Sequence, residues 1–152
     1  MAATREQILD ALCQAYNMEV ETVTNYLATS INLDGVRADF IKQALAADIQ
    51  GELTHATQIG NRIKQLGGTV PGSLQLKMTQ KSLQPPADTT DVVAVIRGVL
   101  DAEEEAIAHY NALIKLTDSE DYVTQDLAIT LLADEEGHRQ QFQGYLKEYT
   151  KK

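Results

Sequence analysis

Apolar side chains recur every three to four positions in four long stretches of the chain, and this spacing places them on one face of an α-helix. The four stripes run through Ile8, Leu12, Ala15, Val23 and Tyr26; Ile41, Leu45, Ile59, Ile63 and Leu66; Val92, Ile96, Val99, Leu100, Ile107, Tyr110 and Ile114; and Ala128, Leu131, Phe142 and Tyr145. The pattern therefore predicts an all-α chain of four long amphipathic helices.

Helix-capping signals bound the four predicted helices. The predicted starts are the capping box Thr4-Arg5-Glu6-Gln7, then Asp34, then Thr89 or Thr90, and finally Ser119. The predicted ends are residues 30–32, Leu66 before Gly67-Gly68, and about Glu148 for the fourth helix. Because the loop between the first two helices is short, we expect them to form an antiparallel hairpin.

A long connection, residues 67 to about 89, separates the second and third predicted helices and holds all three prolines of the chain. At about 3.3 Å per residue it is long enough to run the length of a helix of about 40 Å. The third helix is therefore free to run parallel to the second. The predicted fold is a four-helix bundle with one long crossover between its second and third helices.

Charged residues interrupt the middle of every apolar stripe. One glutamate lies on the core face of each predicted helix: Glu19, Glu52, Glu103 and Glu135. The second and fourth helices add His55 and His138, each three residues after its glutamate and hence on the same helical face. Carboxylate and imidazole are both metal-ligand groups, so the four stripes predict a metal site at mid-length.

The two halves of the chain resemble two copies of one helical hairpin. In each half a tyrosine follows the first glutamate by two helical turns, as Tyr26 follows Glu19 and Tyr110 follows Glu103. The Glu-x-x-His pair then follows that glutamate at nearly the same interval in both halves. Each half thus offers Glu, Glu-x-x-His and a nearby Tyr.

Helical periodicity separates the three consecutive glutamates at 103 to 105. Glu104 shares its face with charged and polar residues, which indicates a solvated face, and Glu105 lies with small and polar residues. Only Glu103 falls on the apolar stripe, so it is the predicted ligand.

Burial of four carboxylates without compensation costs several kcal/mol for each one. Two divalent cations bring four positive charges against the four negative ones, and two neutral histidines complete the ligand shells. Such a pair of cations would offset the charge of the four buried acids.

At these residues the sequence resembles the ferritin-like superfamily, in which Glu from two helices and Glu-x-x-His from the other two hold two iron or manganese ions. The motifs most similar to those of bacterioferritins are Asp134-Glu135-Glu136-Gly137-His138, Glu52-Leu53-Thr54-His55, and Glu19 with Asn25-Tyr26. The resemblance implies that Glu52 and Glu135 bridge two irons. It also implies that Glu19 with His55 completes one iron site and that Glu103 with His138 completes the other.

The implied activity is ferroxidase chemistry: Fe(II) is oxidised by O2 or H2O2, and the ferric product either leaves for a storage cavity or remains as a cofactor. Tyr26 and Tyr110 would hydrogen-bond the ligand carboxylates or donate an electron. Other di-metal enzymes of the same bundle remain alternatives, namely a rubrerythrin-type peroxidase, a manganese catalase or an oxygenase. A metal-free structural bundle is a third reading. A rubrerythrin normally adds a Cys-x-x-Cys iron domain, which this chain, with one cysteine, does not contain.

Three features depart from the bacterioferritin pattern. Leu53 stands where bacterioferritins carry their haem-ligating Met, so we expect no haem at that position. The chain ends at Lys152, too soon after His138 for the fifth helix of a 24-subunit shell, which favours a twelve-subunit shell of Dps (mini-ferritin) type or a smaller oligomer. The bacterioferritin interval counted back from Glu135 also falls on Ala102, one residue before Glu103.

Length and composition limit the number of domains, the partners and the cellular compartment that we expect. The length of 152 residues predicts a single domain over 1–152, and hydrophobic residues make up 43% of the chain, as in a globular protein. The net charge of −9 argues against nucleic acid as the main partner, and the chain has no apolar run long enough to span a membrane. No secretory signal is evident, so a cytoplasmic location is expected, and the resemblance implies a homo-oligomer.

Overall fold

The computed structural model describes residues 3–151, which form four long helices and no strand. The helices are α1 (Arg5–Asn32), α2 (Asp39–Gln65), α3 (Val92–Thr117) and α4 (Tyr122–Tyr149). The all-α prediction is therefore confirmed, and the long connection between the second and third helices spans residues 66–91. Among the helices described, none is both long and apolar enough to cross a membrane.

Side-chain contacts fix the direction of the helices. Tyr26 of α1 bonds Glu103 of α3, and Tyr110 of α3 bonds Glu19 of α1. Residue numbers thus rise along α1 as they fall along α3, so these two helices are antiparallel. Since α1 and α2 form an antiparallel hairpin, α2 and α3 run parallel, as the long crossover predicts.

The crossover follows α1 from one end of the bundle to the other. Lys77 exchanges two hydrogen bonds with the side chain of Asn17, and the backbone N–H of Asp34 donates to the Thr89 carbonyl at 2.8 Å. It also packs against α3 so closely that a Cβ at Gly98 would lie 2.4 Å from the Ser82 carbonyl oxygen. The crossover therefore covers the seam between α1 and α3.

Two of the predicted helix boundaries are confirmed by their cap geometry. Thr4 and Gln7 form a reciprocal capping box at the start of α1, with bonds of 2.8 and 3.2 Å. At the end of α2, Gly67 has φ +75°, and the N–H groups of Gly67 and Gly68 each donate at 2.9 Å to the last turn of the helix. This is the Schellman arrangement, which needs a left-handed residue and so favours glycine.

The other three predicted caps are wrong. The helix α2 begins at Asp39, because residues after Asp34 first form a turn, and its N-cap, Ala38, makes no side-chain cap. Asp91, rather than Thr89 or Thr90, caps α3 by accepting from Ala94 N. Asp121, rather than Ser119, caps α4 in the same way, accepting from Thr124 N. Each true start lies a few residues later than the predicted one.

Two apolar clusters fill the bundle, one toward each end. The first is built around Tyr26, Ile41, Leu45, Ile96, Val99 and Phe142, and the second around Leu12, Ile59, Ile63, Leu113 and Leu131. Between them lies a layer of buried glutamates, one from each helix. The layer of glutamates thus lies between two apolar clusters, where water cannot solvate the charges.

Candidate metal centre

The structure brings all six predicted site residues together at the middle of the bundle. Glu19, Glu52, Glu103 and Glu135 are 2–3% exposed, and His55 is 4% exposed. His138 is more open, with 21% of its side chain accessible. The helices position them as the periodicity predicts, because each glutamate lies on the apolar stripe of its own helix.

The six side chains fall into two overlapping groups whose ligand atoms lie within 4.8 Å of one another. The first group is Glu19, Glu52, His55 and Glu135, and the second is Glu52, Glu103, Glu135 and His138. Glu52 and Glu135 belong to both groups. The two shared carboxylates lie between two positions that each have one further carboxylate and one imidazole.

The Nδ1 atoms of the two histidines face these carboxylates. Nδ1 of His55 lies 3.1 Å from Glu135 Oε1, and Nδ1 of His138 lies 3.4 Å from Glu135 Oε2 and 3.6 Å from Glu52 Oε1. The two imidazole rings are nearly parallel, with centroids 6.4 Å apart. Both imidazoles therefore point one nitrogen into the same cluster of oxygens.

Four of these inward-facing atoms are buried and, although imidazole and carboxylate atoms lie 3.1–3.6 Å apart, make no hydrogen bond of good geometry: Glu52 Oε1, Glu135 Oε1, His55 Nδ1 and His138 Nδ1. A buried polar atom without a partner costs free energy of about 1–3 kcal/mol. The donor set of carboxylate oxygens and imidazole nitrogens suits first-row divalent metals such as iron, manganese or zinc. The orphaned atoms converge on one place, so these residues fit a pair of such ions.

Two buried tyrosines hold the glutamates that are not shared. Tyr26 Oη donates to Glu103 Oε1 at 3.1 Å, and Tyr110 Oη donates to Glu19 Oε1. Both phenols are almost fully buried, and burial raises the pKa of each well above its ordinary value. The phenols therefore stay protonated, so that each can donate to its carboxylate and fix the direction of its oxygens.

The carboxyls of the site differ in how readily they ionise. Burial raises the pKa of Glu19 well above its ordinary value, and it raises the pKa of Glu103 to about 8. Burial also opposes ionisation of Glu135, but His138 and His55 outweigh it and lower the pKa of Glu135 to about 2. Without metal, the site therefore keeps the shared Glu135 charged and protonates Glu19 and Glu103.

The histidines carry the balancing charge in the metal-free site. Side-chain hydrogen bonds with Glu103 and Glu135 raise the pKa of His138 to about 11. Burial alone would lower the pKa of His55, but Glu135 and Glu19 reverse that effect and raise it well above its ordinary value. Protons therefore occupy the positions that cations would take, and metal ions must displace them.

Asp134 belongs to the fourth-helix motif, but its spacing in the sequence predicts no role for it. Its Oδ2 lies 3.1 Å from Nε2 of His55, on the side of the ring that faces away from the cluster. A carboxylate behind a metal-binding histidine fixes the tautomer that leaves the other nitrogen free for the metal. On the His138 side, Asp48 has a buried Oδ2 without a hydrogen-bond partner, and burial raises its pKa.

The neighbours of the predicted ligands in the sequence lie away from this centre. Glu104 is exposed and pairs with Arg139 on the surface, at 3.1 Å. Ala102 is buried and offers no ligand atom, and Glu103 supplies the carboxylate from α3. His109 is half-buried, and its Nε2 lies 2.9 Å from the Ala11 carbonyl, to which it donates. Leu53 is 42% exposed on the outside of α2.

A model of the ferritin-like domain family matches residues 9–151 of the chain. The DNA protection during starvation protein of Pyrococcus furiosus is 25% identical over 145 residues, which cover 93% of this chain and 77% of that protein.

Solved structures share the fold. A dodecameric thioferritin, the bacterioferritin-related protein of Bacteroides fragilis, has a TM-score of 0.86 at 25% identity, covering 97% of this chain and 88% of that one. The bacterioferritin of Desulfovibrio desulfuricans, whose structure was determined for its diiron site, has a TM-score of 0.80 at 21% identity. That match covers 94% of this chain and 80% of the bacterioferritin.

Proposed function

The chain belongs to the ferritin-like domain family, and we propose that it binds two iron ions at the six-residue centre and oxidises Fe(II) with O2 or H2O2. The family resemblance predicted from the motifs is thereby confirmed, whereas the activity is our proposal. The observation that carries it is the buried cluster of four carboxylates and two imidazoles, in which four inward-facing atoms have no partner. A metal-free structural bundle gives no reason to bury such a cluster.

Each side chain has a definite role in this proposal. Glu52 and Glu135, which belong to both groups, would be shared by the two ions, while Glu19 with His55 and Glu103 with His138 would complete the two shells. Two Fe(II) ions there supply two electrons, which with two protons reduce O2 to H2O2 or H2O2 to two waters. The two apolar clusters exclude bulk water on either side of the layer.

Hydrogen bonds and bound protons keep the site ready for metal. Tyr26 and Tyr110 keep Glu103 and Glu19 oriented toward the centre in the absence of metal. When cations arrive, Glu19 and Glu103 give up the protons that burial had retained. The protein thus supplies a preorganised set of oxygens and nitrogens, so little rearrangement is needed on binding.

We propose further that the product is stored within a closed shell of twelve chains. The similar protein from Bacteroides fragilis is described as dodecameric, and the match covers 97% of this chain. Each chain has a mass of 16.7 kDa, so a twelve-chain shell has half the mass of a 24-subunit shell and six times that of a dimer. These assemblies are easily told apart by mass.

Consumption of O2 or H2O2 on addition of Fe(II) tests the ferroxidase proposal. We expect rapid oxidation by the unaltered protein and loss of that activity in Glu52→Ala and in His138→Ala. Glu104→Ala is the matched control, because it removes an exposed glutamate next to the ligand Glu103. Unchanged oxidation in the first two variants would refute the assignment of the site.

Light scattering with iron analysis of the same sample tests storage. A particle with the mass of twelve chains that retains many more than two irons per chain supports it. A dimer that holds only two metal ions per chain and turns over peroxide rapidly would instead indicate a di-metal peroxidase or catalase.

A further inference from the structure

We propose that divalent metal ions reach the centre through the seam between α1 and α3 and that Gln80 of the crossover is the gate of this entrance. This inference rests on the proposed function, since it concerns how the same site is filled. It is carried by two neighbouring cavities and by the hydrogen bonds of Gln80.

The inner cavity lies directly against the candidate ligands. It has a volume of about 10 Å³, close to the space of a single water, and four of its walls are Glu19, Glu52, Glu103 and Glu135. Neither histidine lines it. The open side of the centre therefore faces away from the imidazoles and toward the α1–α3 seam, beneath the crossover.

The outer cavity is lined by residues of α1, α3 and the crossover, and it opens to solvent. Its volume is about 900 Å³, and the carboxylates of Glu21 and Glu105 are part of its lining. Only two residues, Met18 and Gln80, line both cavities. Gln80 belongs to the crossover, whereas Met18 belongs to a helix turn beside Glu19, so Gln80 is the one that can move aside without disturbing a helix.

Gln80 is held in the closed position by three side chains of α1. Its amide Oε1 accepts from Asn25 Nδ2 at 2.7 Å, and its Nε2 donates to Thr22 Oγ1 at 3.3 Å. Its backbone N–H donates to Glu21 Oε1 at 2.5 Å. No backbone pairing with a helix supplements these bonds in the described stretch 77–84. Gln80 is therefore held in the closed position by a few side-chain hydrogen bonds, each of modest net strength.

The chemistry of the gate suits a cation. Carboxylate, hydroxyl and amide oxygens surround it, supplied by Glu21, Thr22 and Gln80, and these are the ligands that hard divalent ions exchange for water. Glu21 is only 5% exposed beside the gate and lines the outer cavity, so a carboxylate lies on the outer side of the gate.

Rates of Co(II) binding test the gate without use of the oxidation activity. In Gln80→Ala the backbone bond to Glu21 stays, but the two amide bonds are lost. Each such hydrogen bond favours the closed over the open position by a factor of about three to ten. We therefore expect Co(II) association and dissociation both to accelerate by about tenfold or more. The equilibrium affinity should stay the same, because the six candidate ligands are untouched.

Gln84→Ala is the matched control. Its side chain bonds the Gln80 carbonyl at 2.7 Å but lines neither the inner nor the outer cavity, so its removal loosens the crossover without opening the passage. We expect unaltered rates. An unchanged association rate in Gln80→Ala, an equal acceleration in Gln84→Ala, or faster oxidation without faster Co(II) binding would each overturn the gate. Failure of the unaltered protein to bind Co(II) would refute the proposed function itself.

Discussion

Replacement of Glu103 by Gln should stabilise the metal-free protein, although it removes a candidate ligand. Glu103 is 3% exposed, and burial raises the pKa of its carboxyl to about 8. At pH 7 the folded protein must therefore keep a proton on a group that loses it readily when the chain unfolds. Gln is neutral at every pH, nearly the same size as Glu, and retains an oxygen that accepts from Tyr26.

The size of the effect follows from that pKa. The ordinary value is 4.5, and each pH unit corresponds to about 1.4 kcal/mol, so protonation of Glu103 at pH 7 costs about 3 kcal/mol. Because folding raises this pKa, the stability that the protonated group contributes is fully present below about pH 4.5 and is lost as the pH rises toward 8. The gain in unfolding free energy from Glu103→Gln should thus be below about 1 kcal/mol at pH 5 and level off near about 5 kcal/mol above pH 8.

Thermal unfolding in the presence of a chelator measures this difference. In a chain of this length about 3 kcal/mol corresponds to a rise of about 6–12 °C in the midpoint at pH 7. All samples should be compared at the same protein concentration, because assembly also affects the midpoint. Glu104→Gln removes the exposed neighbour of Glu103 and should shift the midpoint little.

Addition of Co(II) should reverse the order of the two proteins. The unaltered chain gains the stabilisation of a complete ligand set, and Glu103→Gln gains less because one charged ligand is missing. A midpoint for metal-free Glu103→Gln that is equal to or below that of the unaltered protein at pH 7 would refute the reasoning. So would a stabilisation that does not grow between pH 5 and pH 8.

Three further predictions address the surroundings of the centre. Asp134→Ala should weaken Co(II) affinity by about 10–100-fold, because it removes the partner of His55, whereas Glu136→Ala should not; equal affinities in a spectroscopic titration would contradict the role of Asp134. Tyr110→Phe should destabilise the metal-free protein by about 1–3 kcal/mol, because the buried Glu19 loses its donor; a chemical-denaturation midpoint equal to that of the unaltered protein would contradict it. Metal binding at pH 7 should release protons from the carboxyls and histidines whose pKa values are raised. The heat of binding measured by calorimetry should therefore depend on the ionisation heat of the buffer. Identical heats in two buffers would contradict the protonation states described.

The helical period carried most of the information in the sequence. A stripe repeating every three to four residues defines one face of a helix, so the spacing alone placed Glu19 and Glu135 in the interior. The same argument separated Glu103 from Glu104, which the structure places in the core and on the surface respectively. The long crossover also followed from residue count, since a proline-rich connection of that length can span a helix.

Helix starts were harder to predict because several neighbouring residues can each cap the same helix. Residues 117–121 include Thr, Asp, Ser and Asp, and each of these types can accept from the first turn. Ser119 instead has φ +62°, in the left-handed region, which is incompatible with the extended backbone of a cap, and Asp121 takes the role. Only the three-dimensional path of the turn decides between such neighbours.

The crossover contacts had no signal in the sequence. Gln80 lies in a segment without periodicity, and its partners Thr22 and Asn25 lie 58 and 55 residues away. Asp134 was visible beside Glu135, but its partner His55 belongs to another helix and is 79 residues distant. Long-range polar pairs of this kind depend on how the helices rotate against one another, which apolar spacing fixes only approximately.

Anomalous X-ray scattering from crystals grown or soaked with Fe(II) under anaerobic conditions would test the two-iron site most directly. We expect two iron peaks per chain, about 3.5–4 Å apart, with Glu52 and Glu135 between them and one histidine beside each. Absence of iron from the layer, or a single ion bound only at surface carboxylates, would contradict the proposed centre.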